Sequence, residues 1–353
     1  MNLDDLNAFA KLDPQDMIGQ IDHLPDQLAE AWQLGQQQPL PDLTGLKWIV
    51  ISGMGGSAIG ADLMAAYAAP HSPIPIIIHR GYDLPTFAQG PETLVVASSH
   101  SGNTEETLTS FDRALTKGCQ VVAISTGGKL SEKASAAGVP SWHFLHAGQP
   151  RAAVGYSFGL LLALAFRLGL IPNPQQDLSD AIAEMQKQQE QLKADVPVAR
   201  NPAKRLAGQL YDRIPVFLAA DFLEPVARRW KGQMSEIAKS WSQFEYLPEA
   251  DHNTLAGVIN PDKLIEKELF VMFLRGSENH PRNQLRINLT RQSMMEAGIN
   301  TDLYEARGST PLQQIWTALH MGDYTAYYLA MSYQVDPTPV DALEGFKAEM
   351  KKS

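Results

Sequence analysis

The sequence predicts an α/β fold, with two open, doubly wound parallel sheets in tandem, each covered by helices on both faces. Three observations predict it. Short runs rich in Val and Ile, namely KWIVIS, IPIIIH, TLVVAS and QVVAIS, follow one another in the first half and have the length of buried strands. Helical segments such as 57–68 and 104–117 lie between several of these runs, and alternation of that kind makes strands parallel and buried on both sides. The alternation resumes in the second half, in a chain of 353 residues that exceeds one comfortable core.

Taken in order, residues 1–40 read as an N-terminal helical arm, with Leu24, Leu28 and Trp32 at helical spacing and the prolines of QQQPLPDL ending it. The first sheet domain spans 41–172. In its helix 104–117, Leu108, Phe111 and Leu115 predict one apolar face, and Gly118 a C-terminal cap. Cys119, just before QVVAIS, reads as core packing. Over 173–203 the composition turns polar around Leu178, Ile182, Met185 and Leu192, which predicts a linker helix. The second sheet domain, 204–353, follows: IPVFLAA as strand, 224–242 as helix, KELFVMFLR as strand, 281–297 as helix, NTDLYEA as strand and 310–332 as a long helix. A short C-terminal helix closes the chain, with Thr338 expected to cap it, Pro339 in its first turn and Asp341 facing the positive end.

Apolar residues at 44% and charged residues at 19% exclude extended disorder. A net charge of −10 repels nucleic acid and acidic lipid, and the RRWK cluster at 228–231 reads as a solvated helix face. No run of 18 apolar residues exists, and the start MNLDDLNAFAKLDPQD is acidic where a secretory leader is basic, so a cytoplasmic protein without membrane partners is expected. One cysteine supports neither an internal disulfide nor a multi-cysteine zinc site. The nine histidines form no H-x-H or H-E-x-x-H pair, and His143 with His146 lacks a nearby carboxylate or cysteine, so no metal and no cofactor are expected.

Two clusters point to an anion. GMGGS places Gly53, Gly55, Gly56 and Ser57 between a strand and a helix, where glycines let the backbone approach a ligand and helix-start amides face it. The dinucleotide pattern G-x-G-x-x-G is met only in its permissive form with Ala58, and the acidic residue about twenty positions on is missing, since IPIIIH leads to Arg80. A P-loop is absent. The second cluster, SSHSGNTEET, again follows a strand and opens a helix, and Ser99, Ser101 and Thr104 can aim three hydroxyls at one phosphate monoester. Simple helix capping by Asn103 with Glu106, or by Thr104 alone, is the competing reading. Both clusters sit at strand carboxyl ends, where α/β sheets bind ligands.

GMGGSAIG, SSHSGNTEE and PRAAVG in the first half, with SEIAKSW, LPEADHN, HPRNQLR and DPTPVDALEGFK in the second, resemble the bifunctional phosphoglucose/phosphomannose isomerases, which carry two flavodoxin-like sugar-isomerase (SIS) domains. The match spans about 45–353. It implies that Gly55, Gly56, Ser57, Ser99, Ser101 and Thr104 hold the phosphate, that Arg151 stabilises an enediolate, and that Glu236 is the base moving a proton between C1 and C2. His252 and Lys347 would assist ring opening, the histidine coming from a neighbouring subunit, which implies a homodimer with shared sites. His100 departs from the family, whose members usually have tyrosine between the two serines.

Aldose–ketose isomerisation needs a base that carries a proton between adjacent carbons and a positive charge near the oxygen that becomes an enediolate. Glu236, between Met234 and Ile237, is expected to be partly buried. His252 lies in a polar loop beside Asp251, which could orient it or raise its pKa. Arg151 precedes AAVG, whose small residues leave room for a ligand, and Lys347 sits on the terminal helix beside Phe346. Two other readings remain: a non-catalytic sugar-phosphate sensor, for which no added effector module is visible, and an aminosugar-phosphate isomerase or deaminase, for which no amidotransferase half or N-terminal cysteine is present.

Overall fold

The computed structural model describes residues 2–352 apart from 42 and 44. The chain forms two compact units: one comprises His23–Gln186 and Gly308–Trp316, the other the stretch ending at Asp22, Lys187–Arg307 and the stretch from Thr317 onward. Among the described residues no helix is long and apolar enough to cross a membrane.

The first unit is built on a five-stranded sheet of order β2-β1-β3-β4-β5, with β1 at Trp48–Ser52, β2 at Ile76–His79, β3 at Thr93–Ser98, β4 at Gln120–Ser125 and β5 at Ser141–His143. Every pairing is parallel. Val50, Val95, Ala97, Val121 and Ala123 face one side, packed under Phe111, Ala114, Leu130 and Ala134. On the other side the helix Gly55–Ala68 packs against Val154–Arg167, which in turn packs on Leu24–Gln37. That last crossing is close because a Cβ on Gly159 would stand 2.6 Å from the Ala31 methyl, and one on Gly35 2.4 Å from that of Ala163.

The second unit holds a four-stranded parallel sheet of order β7-β6-β8-β9: β6 Ile214–Ala220, β7 Gln243–Leu247, β8 Leu269–Arg275 and β9 Asn300–Glu305. Leu218, Ala220, Val271 and Phe273 form a core with Ile287 and Met294 of the helix Pro281–Glu296.

Both sheets are parallel and interleaved with helices, as the residue pattern predicts. Several local expectations need correction. In the helix Glu105–Thr116 the buried positions are Thr107, Ser110, Phe111 and Ala114, whereas Leu115 is 37% exposed. Small residues bring this helix close to its sheet, and centring the buried stripe on Phe111 and Ala114 turns Leu115 outward. Gly118 does adopt the left-handed conformation of a cap, with φ +70°. The polar stretch 173–203 is not one helix: Gln175–Gln189 ends in turns, and Asn201 caps a new helix, Pro202–Leu210. The helix expected over 224–242 stops at Glu236, and β7 follows it as an edge strand too short and too polar to stand out in the sequence. Thr338 does not cap the terminal helix. Its N–H instead binds Asp336, and the helix Asp341–Met350 begins after Val340.

Candidate active site

The first sheet changes winding direction between β1 and β3, so the loops that leave these two strands diverge and open a crevice at their carboxyl ends. Both hydroxyl-rich clusters lie there. After β1 the chain passes through Gly53 and enters the helix Gly55–Ala68. A Cβ on Gly53 would stand 2.8 Å from the Ser98 carbonyl oxygen, and one on Gly56 2.4 Å from that of Pro150. The glycines are therefore required by backbone packing of three loops. Gly55 has φ +51° and is exposed.

Ser57 is buried and ties the loops together: its Oγ accepts from the His100 N–H at 3.2 Å, and its carbonyl accepts from Ser157 Oγ at 3.1 Å. In the second loop the Ser99 and Thr104 hydroxyls lie 2.9 Å apart in a hydrogen bond, and Ser101 Oγ accepts from the Asn103 N–H. Thr104 occupies the N-cap position yet makes no side-chain cap bond. Asn103 is not a cap either, since its amide binds the Ser101 carbonyl and the Lys129 N–H. The hydroxyls therefore face one another and not the helix amides, which sets capping aside as their use. Ser57 and Ser99 are buried, Thr104 is half-buried, and Ser101 is exposed.

Arg151 sits beside this crevice in the 3-10 turn Pro150–Ala152, and only 3% of it is exposed. The turn is held by the Gln27 side-chain amide, which donates to the Ala152 carbonyl at 2.8 Å. A cavity of about 10 Å³ lies under the loops, lined by Gly56, Ser57, Ser98, His100, Phe144 and Ser157 among others, with room for about one water. The sequence reading missed a third loop, Thr126-Gly127-Gly128 after β4. Thr126 Oγ1 donates to the His100 carbonyl at 2.8 Å, and Gly127 backs directly onto Gly102. Its signal, paired glycines after a strand, was present in the sequence.

Glu236, His252 and Lys347 belong to the second unit. Glu236 is the last residue of the helix Glu224–Glu236 and is half-buried. That helix is fixed by a buried two-point ion pair, Arg229 Nε to Asp323 Oδ1 at 3.1 Å and Nη2 to Oδ2 at 2.8 Å. Burial raises the Asp323 carboxyl above its ordinary range, and the Arg229 guanidinium opposes that. Trp230 Nε1 also donates to the Ala318 carbonyl at 2.9 Å. Beyond the helix end, Lys239 Nζ donates to the Glu236 carbonyl at 2.7 Å.

His252 is exposed at the end of the 3-10 turn Glu249–His252. Asp251 does not serve as its orienting partner, because its carboxylate accepts from Arg286 at 2.8 Å and from Thr290 at 2.6 Å. Lys347 is exposed on a terminal helix that buries none of its residues. Among the described residues no group of three His, Cys, Asp or Glu is arranged to hold a metal ion.

The second sheet also changes direction, between β6 and β8. Here Asp221, at φ +54°, fills the crevice with its own carboxylate. It accepts from the His280 N–H at 2.9 Å, from Asn283 Nδ2 at 2.7 Å and from Asn279 Nδ2 at 3.2 Å. Those donors stand at the start of the helix Pro281–Glu296.

Residues 199–350 match the family described as the bacterial phospho-glucose isomerase C-terminal SIS domain. The chain is 37% identical to a bifunctional phosphoglucose/phosphomannose isomerase of Caldicellulosiruptor bescii, over 95% of this chain and 100% of that protein. It is 32% identical to a protein of the same description from Aquifex aeolicus, over 88% and 92%. Among solved structures, a glucose-6-phosphate isomerase like protein from Thermus thermophilus superposes with a TM-score of 0.63 at 20% identity, covering 97% of this chain and 99% of that one. Tagatose-6-phosphate ketose/aldose isomerase from Escherichia coli superposes at 0.68 with 16% identity, covering 91% and 94%. At those identities the structural likeness carries the fold alone.

Proposed function

The chain belongs to the family of bifunctional phosphoglucose/phosphomannose isomerases, and from that premise we propose that it interconverts glucose 6-phosphate and mannose 6-phosphate with fructose 6-phosphate. The observation that carries the substrate class is the hydroxyl cradle at the turning point of the first sheet, where Ser99 and Thr104 meet each other and Ser57 meets the His100 N–H at the start of two helices.

In the proposed reaction the phosphate is held by Ser57, Ser99, Ser101 and Thr104, with Gly55 and Gly56 letting the backbone approach. The Glu236 carboxylate takes the proton from C2 of the open-chain aldose. The electron pair moves into a C1–C2 double bond, and negative charge develops on the C1 oxygen. The Arg151 guanidinium offsets that charge, the proton of the C2 hydroxyl passes to the C1 oxygen, and protonated Glu236 returns its proton to C1 as the C2 carbonyl forms, which gives the ketose. His252 and Lys347 transfer protons in ring opening. His252 is exposed, and a homodimer in which the neighbouring subunit contributes this histidine to the site is part of this reading. A cytoplasmic location suits substrates whose charge keeps them from crossing a bilayer.

The test is an assay on fructose 6-phosphate with EDTA present, following glucose 6-phosphate and mannose 6-phosphate separately, together with light scattering. Formation of both products supports the reading. Saturable binding with neither product sinks the isomerase, and a monomer sinks the shared site.

A further inference from the structure

His100, the departure from the family pattern between the two cradle serines, is not packed as an isolated ring. Its Nε2 lies 3.0 Å from His146 Nδ1, so one ring donates the proton that the other accepts. The pair meets edge to face, with centroids 5.2 Å apart, against a wall of Phe144 and Tyr156, which stack on each other at 5.2 Å. His100 also lines the cavity beneath the cradle with Ser57, and its own N–H binds the Ser57 hydroxyl. Two hydrogen-bonded imidazoles thus stand under the cradle, with His100 lining the cavity beside Ser57, Ser98 and Ser157.

We propose that the His100–His146 pair is a charge-adjustable wall of the phosphate site, which takes up one proton from solvent when a phosphate dianion enters and so supplies a positive charge that the hydroxyl cradle lacks. The inference rests on the reading of the cradle as a phosphate site.

The surroundings define its sign. With no anion beside it, burial pushes His100 down to about 4, with His146 adding to the effect, and burial lowers His146 as well. Both rings are then neutral at neutral pH. The charged and titratable neighbours are few. Tyr156, packed on His146, donates its hydroxyl to Glu30, which is thereby engaged elsewhere. His143 Nε2 binds the Thr126 carbonyl, and Arg151 lies on the turn beside Gly56. The loops after β1 and β4 face His100 with Ser57 and Thr126, which carry no charge. A dianion in this partly buried place favours the protonated pair, and the raised proton affinity is the same free energy as the tightened anion affinity.

The probe is glucitol 6-phosphate, which has no carbonyl to isomerise. Its binding to the whole protein is followed by calorimetry near pH 6 in buffers of contrasting ionisation heat, which gives protons taken up per ligand bound. Wild type is expected to take up several tenths of a proton more than His100→Tyr and His146→Gln, and to bind several-fold tighter than either. The difference is expected to vanish near pH 8, where the bound pair no longer gains its proton. His146→Gln leaves the His100 ring in place and guards against a folding defect in His100→Tyr. Comparing variants at one pH cancels the ligand's own titration near pH 6. Equal proton counts in all three proteins overturn this proposal alone. Absence of binding to wild type, or binding unaffected by Ser99→Ala, overturns the phosphate reading and the proposal with it.

Discussion

Arg229 and Asp323 meet by two hydrogen bonds with both side chains almost wholly buried, and they join the helix that ends in Glu236 to the helix Pro311–Tyr333. Breaking a buried pair leaves one uncompensated charge in the core. Arg229→Met or Asp323→Leu alone is expected to cost about 3–5 kcal/mol, and the double variant less than either. Denaturant unfolding of the four proteins checks this; additive losses would contradict it.

Glu236→Gln keeps the size of the side chain while removing the carboxylate proposed as the base. Turnover on fructose 6-phosphate is expected to fall by about 10²–10⁴, with affinity for a sugar phosphate within a few-fold of wild type. Retained turnover would assign the proton transfer elsewhere.

Ser99→Ala removes a hydroxyl that meets Thr104 at 2.9 Å and that the ground state and transition state of a bound phosphate ester would use alike. KM is expected to rise roughly 10–100-fold with kcat little changed. A fall in kcat at constant KM would place Ser99 in the chemistry instead.

Gly102→Ala would strike a backbone. Gly102 has φ +65°, and an added Cβ would stand 1.8 Å from the Gly127 carbonyl oxygen. At least about 2 kcal/mol of stability is expected to be lost, with weakened phosphate binding as the Thr126–Gly128 loop is displaced. Thermal unfolding and inorganic phosphate titration of the variant give the two readouts, and a variant as stable as wild type would refute the clash.

His320 is buried in the second unit, with Nε2 on the Ile21 carbonyl, and burial pushes its proton affinity down to about 4. A histidine lowered in the folded state binds its proton more readily once unfolded. Its contribution is therefore complete above the unfolded value near 6.5 and is lost as pH falls towards 4, by up to roughly 3 kcal/mol. His320→Gln is expected to flatten the loss of stability over that window, and an unchanged slope would remove His320 as its source.

The sheets and the two hydroxyl-rich loops at their strand ends were legible because they rest on local patterns: Val- and Ile-rich runs, and glycine with hydroxyl residues after a strand. What the sequence could not show depends on partners distant in the chain. β7 was hidden because an edge strand of five residues with half-exposed positions has no strong period. Leu115 looked like core because periodicity gives a face but not its rotation. Asp251 looked like a partner for His252 because adjacency in sequence is visible, whereas Arg286 and Thr290, more than thirty residues away, are not. The roles proposed for Arg151, Glu236, His252 and Lys347 rest on resemblance, since a lone charged residue has no local signature.

Asp221 separates two halves that are otherwise built alike. At the turning point of its sheet the second unit supplies a negative group from its own chain, which the His280 N–H and the Asn283 side-chain amide already bind. That crevice holds an anionic group of its own, whereas the side chains of Ser57, Ser99 and Thr104 at the corresponding turn of the first sheet are neutral. Architectural repetition in this protein therefore does not repeat the chemistry: among the described residues, one parallel sheet turns on neutral hydroxyls and the other on an internal carboxylate.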